Sequence, residues 1–385
     1  MMLPARPHRD PRRAALLLAV GALTASAVVP ATASAAEPPS RLKVTTVLTG
    51  LDHPWDAAVA PGGQLLFTER AGRIDVLRNG QRKVLATPPD VVVSGEGGML
   101  GIAVDPAFTT NRRIYTCYLS NAGTAIDVRV VRWRVTDDWK RAVEPLPIVT
   151  GIPVNPARQL GRHSGCRLRF HEGVLWITTG DAAIGSHPQD PQSLAGKVLR
   201  VGTDGSPAAG NMGAPFRPEI YAYGFRNPQG LAFRPSDGQA FIIEHGPNRD
   251  DEITPLQPGG NGGWDPAIPG NLAGYDESVP MTDTTAFPDA LRPAWRSGSP
   301  TIAPSGGTFL TNPDWGSYTG RLAVAVLKAQ HLRVHAIGAD NLSDPGEIVL
   351  QDLGRLRAAV EGAKGELFVL TDEIDGEILK VKPIP

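Results

Sequence analysis

The feature that most constrains the fold is a short phrase that recurs along the chain. Each copy has an apolar strand, a turn containing Pro, Gly or Asp, and a second apolar strand that usually ends in a polar residue. The six copies pair residues 55–63 with 65–69, 100–106 with 114–118, 167–173 with 175–181, 230–235 with 240–244, 305–310 with 322–326, and 356–360 with 366–372. No long window carries apolar residues at helical spacing, so the sequence predicts an all-β protein.

The number and spacing of the copies predict the architecture. Six copies between residues 45 and 385 leave about 55 to 60 residues for each, the size of a four-stranded propeller blade with one extended loop. We therefore predict a six-bladed β-propeller with four-stranded antiparallel blades over residues 45–385. A pair of β-sandwiches is the alternative, but it does not explain the regular return of one phrase. In a propeller, the polar ends of the second strands would gather at one face around the central channel.

The residues before the repeats predict export. Four arginines within positions 6–13 precede the apolar run 14–29, and Ala33-Ser34-Ala35 is typical of a cleavage site. The sequence predicts a secretory signal peptide over 1–35, a flexible segment over 36–44, and a secreted, extracellular protein. The apolar run is short for a spanning helix, which needs about 20 residues, so no membrane span is expected. The pair Arg12-Arg13 leaves a twin-arginine route open beside ordinary secretion.

The cysteine count and the charge restrict the class of protein further. The chain has two cysteines, Cys117 and Cys166, and a formal net charge of -1. In an oxidising compartment a single disulfide is the simplest interpretation; two free buried thiols are the alternative, and a metal site would need more ligands nearby. The charge gives no excess of basic residues for binding nucleic acid or an anionic membrane surface.

Candidate functional residues lie at the edges of the copies. His163 lies in a loop before the third copy, where its imidazole could act as a general base near neutral pH; a surface histidine is the alternative. Four cations could converge on one polyanionic ligand if the repeats close into a ring, or could be scattered and solvated. These cations are Arg226, Lys328, Arg355 and Arg357.

Two turns carry further chemistry. Gly246-Pro247 offers backbone carbonyls and residues 250–252 are all acidic, which are the oxygen ligands that Ca²⁺ takes; a plain acidic turn is the alternative. The segment 95–98, Gly-Glu-Gly-Gly, lacks the Lys-Ser/Thr end of a phosphate loop. We interpret it as a tight turn that presents Glu96.

The motifs along the chain, taken together and in their order, are typical of one protein family. Matching phrases occupy residues 95–101, 161–165, 196–200, 224–230, 244–252, 259–264 and 303–306. Together they resemble the soluble quinoprotein glucose/sorbosone dehydrogenase family, and specifically its aldose sugar dehydrogenase branch. The most specific phrases are Arg-Asn-Pro-Gln-Gly at 226–230 and Gly-Pro-Asn-x-Asp-Asp-Glu at 246–252. The resemblance covers about residues 45 to 383.

This resemblance implies a propeller that binds pyrroloquinoline quinone (PQQ) and Ca²⁺ at the top of its channel. It implies oxidation of the anomeric carbon of an aldose sugar to a lactone, with electrons passed to an external acceptor. His163 would take the hydroxyl proton, and the carbonyls of Gly246 and Pro247 would hold the Ca²⁺. The residues expected to contact the cofactor are Glu96, Arg226, Asn227, Thr301, Lys328, Arg355 and Arg357.

The resemblance also implies a second Ca²⁺ site. Its expected residues are Glu252, Gly262, Ala273, Tyr275 and Glu277. Three positions depart from the glucose-preferring members, which carry an amide at Glu96, an acid at Arg162 and a large aromatic residue at Ser299. Because these positions shape the sugar pocket, the sequence does not predict which sugar is used. A monomer and a homodimer are both compatible with it.

Two other functions are compatible with this architecture. A Ca²⁺-dependent lactonase or esterase would need a ring of acidic and amide metal ligands facing the channel, where this chain instead supplies cations. A secreted carbohydrate-binding propeller without catalysis would be favoured if His163 were dispensable.

Overall fold

The computed structural model describes residues 41–157, 159–271 and 274–384. These residues form six separate sheets, each with four antiparallel strands. Within the described ranges the helices are short, an α-helix at Phe108–Asn111 and a 3-10 helix at Pro313–Tyr318. The prediction of a six-bladed β-propeller is confirmed, and each copy of the repeated phrase supplies the first two strands of one blade.

The first strand, β1 (Arg41–Asp52), belongs to the last blade. Blade 1 contains β2 (Pro54–Val59), β3 (Leu65–Glu69), β4 (Arg73–Arg78) and β5 (Gln81–Ala86). Blade 2 contains β6 (Met99–Val104), β7 (Arg113–Ser120), β8 (Asp127–Val135) and β9 (Ala142–Ile152). Blade 3 contains β10 (Gly165–His171), β11 (Val174–Thr179), β12 (Lys197–Val201) and β13 (Ile220–Tyr223).

Blades 4 to 6 follow the same order. Blade 4 contains β14 (Pro228–Phe233), β15 (Ala240–Glu244), β16 (Glu252–Pro255) and β17 (Trp295–Arg296). Blade 5 contains β18 (Pro304–Phe309), β19 (Leu322–Val326), β20 (His331–His335) and β21 (Glu347–Val349). Blade 6 contains β22 (Leu356–Glu361), β23 (Leu367–Thr371), β24 (Ile374–Ile384) and β1.

The two ends of the chain close the ring. Strand β1 pairs antiparallel with β24, so the outer strand of blade 6 comes from the start of the chain. It begins at Arg41, upstream of the boundary at 45 that the sequence predicted, because this pairing extends over the whole of β24. The predicted signal peptide and residues 36–40 lie outside the described residues.

The first strand of each blade lines the channel. Strands β2, β6, β10, β14, β18 and β22 each contact the inner strand of the next blade around the ring. Each of these inner strands pairs antiparallel with the second strand of its blade. The start of the inner strand therefore lies beside the end of the second strand, as in Pro54 opposite Glu69 and Pro228 opposite Glu244. We call the end of the channel where the inner strands begin the upper face.

Every inner strand has a register shift close to the upper face. The shifts lie between Pro54 and Asp56, Met99 and Ile102, Gly165 and Leu168, Pro228 and Gly230, Pro304 and Gly307, and Leu356 and Ala358. A β-bulge leaves one or two residues without a cross-strand partner and re-aims their side chains. A bulge therefore occurs in all six inner strands, at the same distance from the upper face of the channel.

Blades 2 and 3 are also joined covalently. Cys117 of β7 and Cys166 of β10 form a disulfide with a Cα–Cα distance of 6.2 Å, which confirms the predicted bond. Both cysteines are buried in the apolar layer between the two blades, beside Leu100 and Leu168. In the described part of the chain no helix is long and apolar enough to cross a membrane.

Candidate functional site

His163 lies at the upper face, in the loop that leads into β10. Its side chain is only 4% exposed, so it is not a surface histidine. Its backbone has a φ of 50°, in the left-handed region that non-glycine residues rarely adopt. A Cβ on Gly180 would lie 1.9 Å from the His163 carbonyl oxygen, so only glycine at 180 permits this loop position. Strained backbone of this kind concentrates at functional sites.

The imidazole of His163 is held by a buried carboxylate. Its Nδ1 lies 2.8 Å from Oδ1 of Asp181, which is fully buried just after the end of β11. Burial raises the pKa of Asp181, but the charges of His163 and Arg226 and the hydrogen bonds from His163 and Tyr275 outweigh it and leave the pKa below its ordinary value. Asp181 is therefore a carboxylate, and it favours the imidazole tautomer with a proton on Nδ1. That tautomer leaves Nε2 free to accept a proton.

Two aromatic residues from a distant loop complete this arrangement. Tyr275 donates a hydrogen bond of 2.7 Å to Oδ2 of Asp181, and its hydroxyl lies 3.2 Å from Nδ1 of His163. Trp264 donates through Nε1 to the same Oδ2 at 2.8 Å. Burial and the Asp181 charge raise the pKa of Tyr275, so the phenol stays protonated and donates. The backbone N–H of Ala183 adds a bond of 2.7 Å to Oδ1.

Glu96 binds the backbone of His163, whose ring Asp181 holds. Residues 94–97 close a tight turn through two backbone hydrogen bonds between Ser94 and Gly97. The carboxylate accepts hydrogen bonds from the backbone N–H of His163 at 3.3 Å and from the amide of Asn227 at 2.9 Å. Burial raises the pKa of Glu96, yet the His163 and His245 charges and the Asn227 bond lower it on balance. Glu96 thus connects the turn before β6 with the loops before β10 and β14.

The four predicted cations all lie at the upper face. Arg226 precedes β14 and is 5% exposed, while Arg357 lies in β22 at 8%. Arg355 and Arg357 both bond to the carboxylate of Asp372, which follows β23. Their charges hold the pKa of Asp372 at about 2 against the effect of burial. Lys328 is exposed and donates to Oγ1 of Thr301 at 3.3 Å.

Glu277 bridges two of the arginines beside His163. Its carboxylate accepts hydrogen bonds from Nη2 of Arg226 and from Nη2 of Arg162. Arg162 in turn lies with its Nε 3.5 Å from Nε2 of His163. Burial raises the pKa of Glu277, but these two arginines lower it overall. Nε2 of the imidazole therefore accepts a long hydrogen bond from the ion-paired guanidinium of Arg162.

The Gly246-Pro247 turn is built by Asp251. The fully buried carboxylate of Asp251 accepts from the N–H of Gly246 at 2.9 Å and from the N–H groups of Ile302 and Ala303. It thereby joins the turn after β15 to the loop before β18. The carbonyl oxygens of Gly246 and Pro247 accept no hydrogen bond from any described residue, so both remain available as ligands.

Two buried carboxylates face each other directly behind this turn. Glu244 and Glu252 are register partners in β15 and β16, and each is 2% exposed. Burial raises the pKa of Glu252 to about 7, although Arg296 and Thr282 bind its oxygens and lower it. Burial and the nearby Glu252 raise the pKa of Glu244 well above its ordinary value.

The structure brings together most of the residues that the sequence singled out. His163, Glu96 and Asn227 share one hydrogen-bond network, and Arg226 joins it through Glu277 and Arg162. The residues expected at a second Ca²⁺ site are divided: Glu252 bonds Thr282 and Arg296, whereas Tyr275 and Glu277 bond groups around His163. Gly262 donates its N–H to the carbonyl of Tyr223, and Ala273 lies outside the described residues. Among residues 41–157, 159–271 and 274–384, no three His, Cys, Asp or Glu side chains cluster as metal ligands.

The sequence did not assign a role to Asp181, Trp264 or Gln229. Asp181 does have a sequence signal, because it follows the second strand of the third copy and so falls at the upper face like Glu244 and Asp372. Trp264 has no such signal. It lies in the long connection between β16 and β17, whose path to the channel is not set by strand periodicity.

Comparison with known proteins agrees with this geometry. The model of the family described as glucose / sorbosone dehydrogenase matches residues 51–380, which is nearly the whole propeller. The chain belongs to the glucose/sorbosone dehydrogenase family. Membership supports an oxidoreductase that acts on aldose sugars.

Similar proteins cover about nine-tenths of this chain. Aldose sugar dehydrogenase YliI of Escherichia coli (strain K12) is 32% identical over 90% of this chain and 94% of the relative. The solved structure of the soluble aldose sugar dehydrogenase from Escherichia coli in its apo-form has a TM-score of 0.78 and 30% identity, and covers 89% of this chain and 100% of that one. The PQQ-bound aldose sugar dehydrogenase from Streptomyces coelicolor has a TM-score of 0.72 and 29% identity over 90% of this chain and 99% of that one.

Proposed function

We propose that this protein is a secreted dehydrogenase that uses PQQ and Ca²⁺ to oxidise the anomeric carbon of an aldose sugar to a lactone. The observation that carries the proposal is the buried His163–Asp181 pair, in which Asp181 holds Nδ1 and Nε2 lies beside the Arg162 guanidinium at the upper face. A PQQ-bound relative of 29% identity with a TM-score of 0.72 supports the choice of quinone.

The charges around the channel mouth suit the quinone, which carries three carboxylates. Arg226, Arg355, Arg357 and Lys328 come from three blades. Nε of Arg226 and Nε2 of His245 are buried atoms without a hydrogen-bond partner among the described residues. The first is a donor, and the second is a ring nitrogen that donates or accepts according to its tautomer. When bound, PQQ would accept the hydride from the sugar. Asn227 and Thr301 would add polar contacts to it.

The Gly246-Pro247 turn suits a calcium ion. Ca²⁺ prefers oxygen ligands and binds backbone carbonyls, and the two carbonyl oxygens of this turn are free of hydrogen bonds from described residues. Asp251 fixes the turn by holding the Gly246 N–H. Calcium there would act as a Lewis acid toward a carbonyl oxygen.

The chain's own residues handle the proton. Oxidation of a cyclic aldose breaks the C1–H bond, with its electron pair leaving as hydride, and breaks the O1–H bond, whose proton moves to Nε2 of His163 while C1=O forms. The carboxylate of Asp181 stabilises the resulting imidazolium through Nδ1–H. Tyr275 and Trp264 hold that carboxylate in place. Proton removal by a positioned base contributes about 10² to 10⁴ in rate.

We also propose that the protein is secreted and passes its electrons to an external acceptor. The arginines, apolar run and cleavage motif within residues 6–35 support export. The Cys117–Cys166 disulfide also supports an oxidising compartment.

The test compares His163→Ala with the wild type. The purified proteins are titrated with PQQ in the presence of Ca²⁺, following quenching of Trp fluorescence, and are then assayed with aldoses and an artificial electron acceptor. The variant should bind PQQ within about twofold of the wild type but lose about 10²-fold or more in kcat. His171→Ala is the matched control, because His171 ends β10 at the opposite face and stacks on Phe233.

Three results would overturn the proposal. A wild type that binds no PQQ would exclude the cofactor, and a variant that keeps more than about a tenth of wild-type turnover would exclude His163 as the base. Sugar lactone or ester hydrolysis by the quinone-free protein with Ca²⁺ would instead establish the lactonase or esterase.

A further inference from the structure

Gln229 is a buried amide at the centre of the channel. It is 3% exposed and lies between Pro228 and Gly230, at the register shift of β14. Its Nε2 donates a hydrogen bond of 3.0 Å to Oε2 of Glu96. Its Oε1 accepts one of 2.6 Å from Nη1 of Arg357. One side chain therefore joins an anion of the turn before β6 to a cation of blade 6.

These two bonds belong to a chain that crosses the channel. Asp372 binds Arg357, Arg357 binds Gln229, Gln229 binds Glu96, and Glu96 accepts from the backbone N–H of His163 at 3.3 Å. The chain begins at the cation pair proposed to hold the cofactor and ends at the loop of the proposed base. No direct hydrogen bond or ion pair between Glu96 and Arg357 occurs among the described residues.

An amide suits this position, whereas a carboxylate or a thioether does not. A carboxamide donates through nitrogen and accepts through oxygen, so it can bind a carboxylate and a guanidinium at once. An ionised glutamate would accept from Arg357 but could not donate to Glu96. A methionine of similar length would do neither.

The residue is also fixed at its backbone. The carbonyl oxygen of Gln229 accepts a hydrogen bond of 2.9 Å from Nε of Arg167, which is fully buried and lies 4.2 Å above the Trp55 ring. Ser305 lies 3.4 Å from the Gln229 side-chain oxygen. Gln229 is thus held by residues of blades 3, 5 and 6 and by Glu96 of the turn before blade 2.

We propose that Gln229 is a positioning residue that couples Arg357 to Glu96, so that the cations and the His163 loop keep one relative geometry. The proposal rests on the proposed function for the roles of Arg357 and His163. The coupling itself is a property of the cofactor-free protein.

The experiment uses Gln229→Met, with Gln239→Met as the matched control. Gln239 also makes two hydrogen bonds of 2.9 Å through its amide, to the carbonyls of Ala240 and Leu256, but it lies at the opposite face. Gln229→Met should weaken PQQ affinity about tenfold, the loss expected for one hydrogen bond to a charged group. Gln239→Met should leave it unchanged. Affinity is measured by equilibrium titration with PQQ and Ca²⁺.

A double-mutant cycle separates coupling from general damage. Glu96→Gln and Arg357→Lys are made singly and together, both in the wild type and in the Gln229→Met background. With Gln229 present, the fold-change in PQQ affinity of the double variant should differ about threefold or more from the product of the fold-changes of the single variants. With Met at 229, the fold-change of the double variant should equal that product. Packing alone would not change this coupling.

Two further arms keep the proposal testable. If Gln229→Met does not fold, Gln229→Leu replaces it, since its apolar side chain bonds neither Arg357 nor Glu96 and should also abolish the coupling. If the wild type binds no PQQ, the proposed function fails. The same double-mutant cycle is then measured without cofactor, with the midpoint of thermal unfolding in place of PQQ affinity. An affinity of Gln229→Met within about twofold of wild type, or a coupling that persists in its background, would overturn the proposal.

Discussion

The most direct test of the site chemistry is Asp181→Asn. The carboxylate of Asp181 accepts four hydrogen bonds, from His163 and Ala183 on Oδ1 and from Trp264 and Tyr275 on Oδ2. All four distances lie between 2.7 and 2.8 Å. The residue has no exposed surface, so water does not replace a lost partner.

Neither orientation of an asparagine amide satisfies these partners. If the NH₂ group replaces Oδ2, it faces the indole N–H of Trp264, which can only donate. If it replaces Oδ1, it faces the backbone N–H of Ala183 and forces the proton of His163 from Nδ1 to Nε2. The first orientation leaves a buried donor unpaired and the second removes the base.

The expected effects follow from these losses. Loss of a hydrogen bond to a charged group reduces the free energy of unfolding by about 1.5 to 3 kcal/mol. Loss of general-base function reduces kcat by about 10²- to 10⁴-fold. We expect Asp181→Asn to show both effects, measured by urea unfolding and by aldose-dependent reduction of an artificial acceptor, with PQQ affinity nearly unchanged.

The matched control is Asp105→Asn. Asp105 is 3% exposed and accepts bonds of 2.8 Å from the Tyr115 hydroxyl and the Ala107 N–H, but it follows β6 at the opposite face. It should lose stability without loss of kcat. If Asp181→Asn kept kcat within about threefold of the wild type, the assignment of Asp181 as the group that orients the base would be wrong.

Three further outcomes are expected. Replacing Cys117 and Cys166 by serine opens a loop with a sequence separation of 49 residues and should lower the free energy of unfolding in urea by about 2 to 4 kcal/mol; no change would mean that the bond adds no stability. Gly246→Ala places a Cβ 2.1 Å from the Arg249 carbonyl oxygen and should weaken Ca²⁺-dependent PQQ binding in titrations, whereas Gly213→Ala meets nothing within 4 Å and should not. Burial raises the pKa of Asp75 to about 7, so the folded state holds its proton more tightly and stability falls as pH rises from about 4 to 7. Asp75→Asn should lessen that fall in denaturation at pH 5 and 8, and an unchanged slope would contradict the assignment.

The sequence predicted the fold well because each blade repeats one local pattern. Apolar strands of four to eight residues bounded by Gly, Pro and Asp are set by neighbouring residues, and six copies leave little choice of architecture. The same logic placed the ends of the second strands, and with them Glu244 and Asp372, at one face. The pairing of β1 with β24 that closes the ring was not predictable in the same way, because it joins segments from opposite ends of the chain.

The site was only partly predictable, for a physical reason. His163 and Arg226 adjoin inner strands, so strand periodicity brings them to the channel. Tyr275 and Trp264 come from the long connection between β16 and β17, and they reach Asp181 by a path that no repeat determines. The acids at 250–252 look equivalent in sequence, yet Asp251 holds the Gly246-Pro247 turn while Glu252 turns toward Thr282 and Arg296. Their separate roles depend on side-chain partners far away in the chain.

The register shifts explain how six similar blades make one asymmetric site. Residues at the shifts of five blades meet in the channel: Trp55, Arg167, Gln229, Ser305 and Arg357 contact one another there through bonds and ring contacts. Because a bulge removes the cross-strand partner, its backbone and side chain can bond to other blades. The repeated bulge therefore places one residue of each blade at the same level of the channel. The residue type differs from blade to blade, so the site contains cations, an amide and an aromatic ring. A substitution at any one of these positions should consequently affect the partners in other blades more than its own strand.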